Sequence, residues 1–202
     1  MNRQLNHILG AFFCLVMLAA CSSSDEKNKA KPTHTKVLYV ELGKQQIAFN
    51  AEPNSSDDQQ TKWVGNYKEV IYTQSGRIRK TEHFTLGNLV FSYANSPDPL
   101  SLNLLKSSTP KTWTWLVDWS PMQMGITLES SFEKQGSEEI DLPDKIINTD
   151  TVLFEEKVVI SALNISYYNK YWLDKATGKV VKSVQNFNPN HPPITLTLSG
   201  DD

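Results

Sequence analysis

In its own stretch, Cys21 is the one group able to carry a thioether, and it follows the small residues Ala19 and Ala20, as a peptidase cleft requires. Other candidate chemistry is thinner. His34, His83 and His191 have no metal-ligand spacing, and no free thiolate joins them, so no metal site is expected. Glu138, Glu139, Asp141 and Asp144 are the sort of carboxylates glycoside hydrolysis employs, but that reaction needs two carboxyls about 5–10 Å apart across a cleft. An acidic run in a loop is ordinarily solvated. There is no glycine-rich phosphate loop, Gly-x-Ser-x-Gly elbow or His-Glu-x-x-His helix. The chain therefore reads as a non-enzyme with no catalytic residue and no cofactor.

Two groups of side chains are candidate ligand contacts. Arg77 and Arg79 share a strand face by alternation, with Lys80 pointing away, and with Lys182 they would attract an acidic polysaccharide; ordinary exposed strand faces look the same. Trp113, Trp115 and Trp119 alternate onto one side of a strand, with Thr114, Leu116 and Asp118 on the other. Such a row is either a sugar-stacking platform or the inner face of a core, and the need for large apolar residues favours the core.

These side chains must be positioned by a body that begins well after Cys21. Residues 1–20 comprise a short head with Arg3 as its fixed positive charge, an apolar run of eleven residues from Ile8 to Leu18, and the small pair Ala19-Ala20. At about 1.5 Å of helical rise per residue, eleven residues cover roughly half of a ~30 Å hydrocarbon core, so this is a secretory signal and not a span. Leu18-Ala19-Ala20-Cys21 resembles the lipobox of bacterial lipoproteins. That resemblance implies a diacylglyceryl thioether on Cys21, removal of residues 1–20 and fatty acylation (palmitate) of the new amino terminus. Two or more acyl chains anchor stably where one does not. Ser22, in place of the aspartate that resembles an inner-membrane retention signal, is compatible with the outer membrane, facing the periplasm. Residues 21–36 are too polar to repay the entropy of ordering and read as a flexible tether.

Residues 37–202 are the size of one domain with a real core. Cys14 leaves with the signal and Cys21 is consumed by lipid, so packing must stabilise this body without disulfides. The formal charge of −2 becomes −3 once Arg3 is removed, and no basic stripe stands out, which excludes nucleic acid as a partner. Short β-branched and aromatic runs separated by turn residues predict ten or so strands. Val37–Leu42 reads as strand or helix, Gln74-Ser75-Gly76 as a hairpin turn, Leu100–Leu105 as short helix or strand, and Gly136–Asp150 as a loop because of Pro143 and its acids. Lys175-Ala176-Thr177-Gly178 joins the clearest hairpin. The expected fold is all-β, a single antiparallel domain closed as a barrel or strongly curved as a half-barrel.

Several segments together resemble the YjbF/GfcB family of lipoproteins, associated with group 4 capsule and exopolysaccharide clusters. They are Trp63, the hairpin Tyr72–Thr81, Leu86-Gly87-Asn88-Leu89, and Tyr171–Gln185. The resemblance implies an antiparallel β fold and an accessory role in polysaccharide secretion or assembly, binding polysaccharide or export machinery, with no catalytic set to carry over. The second hairpin alone also resembles the half-barrels of lipoprotein carriers and periplasmic stress sensors. Such a protein would be an acyl-chain or lipoprotein-binding receptor.

Overall fold

The computed structural model describes residues 36–52, 60–121, 123–143 and 149–199. The lipobox and all but the last residue of the expected tether lie outside them. Twelve strands account for most of the described chain: β1 Val37–Leu42, β2 Gln45–Glu52, β3 Thr61–Val64, β4 Val70–Gln74, β5 Arg77–Glu82, β6 Leu89–Tyr93, β7 Thr112–Trp119, β8 Gln123–Ile140, β9 Thr149–Ile160, β10 Ile165–Asp174, β11 Val180–Gln185 and β12 Ile194–Ser199. Among the described residues the helical content is one 3-10 turn, Ser161–Leu163.

All twelve strands form one antiparallel sheet in the order β5-β4-β3-β2-β1-β12-β11-β10-β9-β8-β7-β6, nearly closed into a barrel. First and last strands pair in mid-sheet, Val40 opposite Leu196, so the two free edges belong to the consecutive strands β5 and β6. Side chains replace the missing ladder at that seam. Ser92 Oγ donates to the Arg79 carbonyl at 2.7 Å, Arg79 Nη2 to the Ser92 carbonyl at 3.4 Å, and the Leu89 amide to Thr81 Oγ1 at 2.9 Å. Bonds of this kind satisfy edge groups that would otherwise template aggregation.

Alternation decides what fills the interior. On β7, Trp113, Trp115, Val117 and Trp119 are buried while Thr114 and Leu116 are exposed, and β9 likewise buries Val152, Phe154, Val158 and Ile160. One cluster gathers Leu38, Phe49, Trp63, Ile71, Trp115 and Leu128 among others; a second gathers Leu100, Leu104, Phe132, Phe154, Tyr171 and Leu173. The lumen is thus a packed core.

Two expectations are corrected. Leu100–Leu105 is neither helix nor strand but a run of turns, with Ser101, Leu102 and Asn103 amides each donating three residues back, and it buries Leu100 and Leu104 against the second cluster. Gly136–Ile140 is not loop, because β8 continues to Ile140 and pairs with Thr149–Leu153 of β9. Exposed acids are tolerated on that strand because its backbone pairs with β9 in the plane of the sheet while the acid side chains point to solvent. Thr151 Oγ1 donates to the Glu138 carbonyl at 2.7 Å, and the Trp172 indole N–H donates to the Glu138 carboxylate. Asp144 lies outside the described residues.

Candidate functional site

Strand β5 carries its first residue, Arg77, into the barrel. The side chain is 1% exposed, which corrects the expectation of a solvent-facing strand position. A buried guanidinium costs several kcal/mol unless each donor is matched, on the order of the penalty for any buried ion. Here the matching is extensive. Arg77 Nε meets Asp98 Oδ2 at 2.5 Å, Nη2 meets Glu156 Oε1 at 2.9 Å, and Nη1 donates to Glu156 Oε2 at 3.0 Å and to the Tyr171 hydroxyl at 3.1 Å. Aromatic rings enclose it, with Trp113 at 5.0 Å, Trp115 at 5.3 Å, Tyr171 at 5.4 Å and Phe132 at 5.8 Å from the guanidinium carbon.

Glu156 comes from the inward face of β9 and is itself fully buried. It accepts further hydrogen bonds from Asn169 Nδ2 at 2.8 Å and the Tyr171 hydroxyl at 3.1 Å. Burial alone would raise its carboxyl, but the adjacent Arg77 charge and the hydrogen bonds of Arg77, Asn169 and Ser130 hold it below the ordinary glutamate value. Burial would likewise depress Arg77, and Asp98 and Glu156 instead hold it well above the usual arginine range. Tyr171 is pushed well up, chiefly by burial. These groups sit locked in their charged or neutral forms near neutral pH, which suits a structural ion pair and gives no poised acid or base.

From this cluster hydrogen bonds run outward. Gln185 Oε1 accepts from the Ile78 amide at 3.0 Å and its Nε2 donates to the Gly76 carbonyl at 2.7 Å; Asn169 Oδ1 accepts the Asn186 amide at 2.8 Å. Glu156, Asp98, Asn169, Tyr171 and Gln185 were all missed as site residues from sequence. One signal was available: Glu156 occupies the same alternation phase as Phe154 and Val158, so a charge was due on the core side of β9.

Trp113, Trp115 and Trp119 are 5%, 6% and 3% exposed and face the interior. Trp113 and Trp115 stack at 5.2 Å with planes 16° apart. Each indole N–H is satisfied inside the fold, by the Ser96 carbonyl at 3.1 Å, Ser130 Oγ at 3.3 Å and the Phe187 carbonyl at 2.6 Å respectively. Arg79 stands apart from Arg77. A one-residue bulge opposite Tyr72 and Thr73 makes Arg79 the extra residue of β5, and the side chain lines a cleft of about 370 Å³ with Ser75, Ser96, Asp98 and Trp113. A larger groove of about 750 Å³ lies along β7 and β8 beside Tyr93, Thr112, Thr114, Thr127 and Glu129. Among the described residues no cluster of His, Cys, Asp or Glu is placed to hold a metal ion.

Fold and interior together define a small antiparallel barrel whose lumen is core crossed by a buried ion pair. The chain belongs to the family described as "Group 4 capsule polysaccharide lipoprotein gfcB, YjbF", whose model matches residues 25–198. Two relatives from Escherichia coli K12 agree. The uncharacterized lipoprotein GfcB is 28% identical over 178 residues, covering 87% of this chain and 79% of that one. The uncharacterized lipoprotein YjbF is 29% identical over 150 residues, covering 71% and 65%. The crystal structure of the hypothetical lipoprotein YmcC from the same organism superposes with a TM-score of 0.73 at 25% identity, over 84% of this chain and 85% of that one.

Proposed function

We propose that this protein is a non-catalytic lipoprotein, anchored through Cys21 in the outer membrane and facing the periplasm, that assists capsule or exopolysaccharide secretion by binding the polysaccharide or the export machinery. The carrying observation is the family match over residues 25–198, with relatives whose names describe lipoproteins and no enzymatic activity. The groove along β7 and β8, whose lining mixes the hydroxyls of Thr112, Thr114, Thr127 and Ser131 with Tyr93 and apolar side chains, adds a surface suited to an extended glycan. An acyl-chain receptor built as a half-barrel would need an empty lumen. The packing of Phe49, Trp63, Trp115 and Leu128 into the interior counts against it.

Deletion of the gene in its own host, followed by measurement of surface polysaccharide, tests the role. Loss of surface material, restored by the wild-type gene and not by Cys21→Ala, is the expected result. Undiminished surface polysaccharide in the deletion strain would remove the accessory role.

A further inference from the structure

Arg79 makes no direct ion pair with a carboxylate among the described residues. Its Nη2 reaches only the Ser92 carbonyl, at 3.4 Å, and its Nε is buried with no hydrogen-bond partner. The carboxylate that shares its cleft is already committed: Asp98 holds Arg77 through both oxygens, at 2.5 Å and 3.4 Å, and accepts the Leu100 amide at 3.0 Å. Burial and the neighbouring Arg77 charge lower the pKa of Arg79 by more than the nearby Asp98 raises it, and an arginine nevertheless stays protonated. The guanidinium carbon lies 5.7 Å from the centroid of the Trp113 ring, within cation–π range.

The cleft is not isolated. Ala94, Asn95, Ser96 and Trp113 line both it and the groove over β7 and β8, so the two are neighbours that share these residues. The cleft volume of about 370 Å³ lies within the usual range for small-ligand sites, roughly 300–1,000 Å³. Gln74, Ser75, Asn95, Ser96 and Ser101 surround the cation with amides and hydroxyls, partners for sugar hydroxyls. A planar guanidinium carries one positive charge and a donor fork that matches a carboxylate, which carries one negative charge. Exposed Glu129 lies farther along the groove and disfavours a second acid there.

We propose that Arg79 is the carboxylate-binding subsite of a glycan-binding surface, selecting an acidic polysaccharide in which uronate residues are separated by neutral sugars. This rests on the polysaccharide-binding reading above and names its substrate class.

The test uses the full-length lipidated protein in detergent, titrated calorimetrically with a hyaluronan hexasaccharide, which alternates uronate and neutral sugar, and with its carboxyl methyl ester. Binding of the acid at least about tenfold tighter than the ester is expected, from loss of one charge-assisted hydrogen-bonded pair. Arg79→Gln should bring acid binding down to the ester level. Asn95→Asp, at an exposed position that keeps an acceptor for the Tyr93 hydroxyl, should weaken the acid selectively by adding a negative charge to the cleft, and it carries the test if Arg79→Gln fails to fold. Equal affinity for acid and ester, with Asn95→Asp silent, would overturn the subsite while leaving a polysaccharide-binding protein. No binding of either probe by the wild type would overturn it too, and the deletion phenotype then judges the accessory role separately.

Discussion

Arg77 and Glu156 meet inside the barrel through two parallel hydrogen bonds of 2.9 Å and 3.0 Å, with side chains 1% and 0% exposed. One belongs to the edge strand β5 and the other to β9, so the pair ties the open seam of the sheet to the strands across the lumen. Asp98, from the turns after β6, completes the tie on the third side.

Breaking such a pair from one side leaves an uncompensated buried charge. Arg77→Met and Glu156→Met are each expected to destabilise the protein by about 3–5 kcal/mol, while the double variant costs clearly less than their sum. Urea melts of the four proteins close the cycle. Additive losses would mean that the two side chains contribute independently.

The same pair sets an acid limit. Glu156 is held below its ordinary value in the folded state, so it contributes stability that is present above the unfolded value of about 4.5 and is lost as pH falls through the folded pKa. Melts from pH 7 down to pH 3 should therefore show the stability gap between wild type and Glu156→Gln narrowing below about pH 4.5. A constant gap across that range would show that Glu156 does not titrate differently on folding.

How much of this was legible in the sequence depends on the range of the interaction. Period-two alternation placed β7 at Thr112–Trp119 with Trp113, Trp115 and Trp119 on one side, and the Thr-Gly turn placed the β10–β11 hairpin. Those signals are local. The extension of β8 to Ile140 was hidden because its acids argue for loop while the pairing that holds it comes from β9. Arg77 and Arg79 looked alike because alternation assumes an unbroken strand, and the bulge between them is not encoded by any one residue type. That Arg77 meets Glu156, 79 residues away, follows only from the closure of the sheet.

Gly178 closes that hairpin at φ +72°, and its amide donates to the Asp174 carbonyl at 2.7 Å. A Cβ there would also collide with the Asn103 side chain. Gly178→Val is expected to destabilise the protein by about 1 kcal/mol or more, read as a lowered urea midpoint. An unchanged midpoint would show that the turn relaxes at no cost.

Cys21 lies outside the described residues, and its prediction is biochemical. Cys21→Ala should leave the precursor uncut or the protein unanchored, because no other group in that stretch can carry the thioether. Globomycin-sensitive processing and membrane fractionation report the outcome. Normal processing and sedimentation of the variant with the outer membrane would refute lipidation at this cysteine.

Trp115 separates core from binding platform. It is 6% exposed, stacks on Trp113 at 5.2 Å, donates its N–H to Ser130 Oγ at 3.3 Å and lies 5.3 Å from the Arg77 guanidinium. Truncation removes a large apolar area and one ring from the arginine cage at once. Trp115→Ala is therefore expected to cost about 3–5 kcal/mol, a large share of the 5–15 kcal/mol typical of a domain. A platform tryptophan behaves in the opposite way, since its loss abolishes glycan retention and leaves folding intact. Urea melts of Trp115→Ala, paired with retention on a polysaccharide column, separate the two. A melt close to wild type together with lost retention would move the binding site onto this strand.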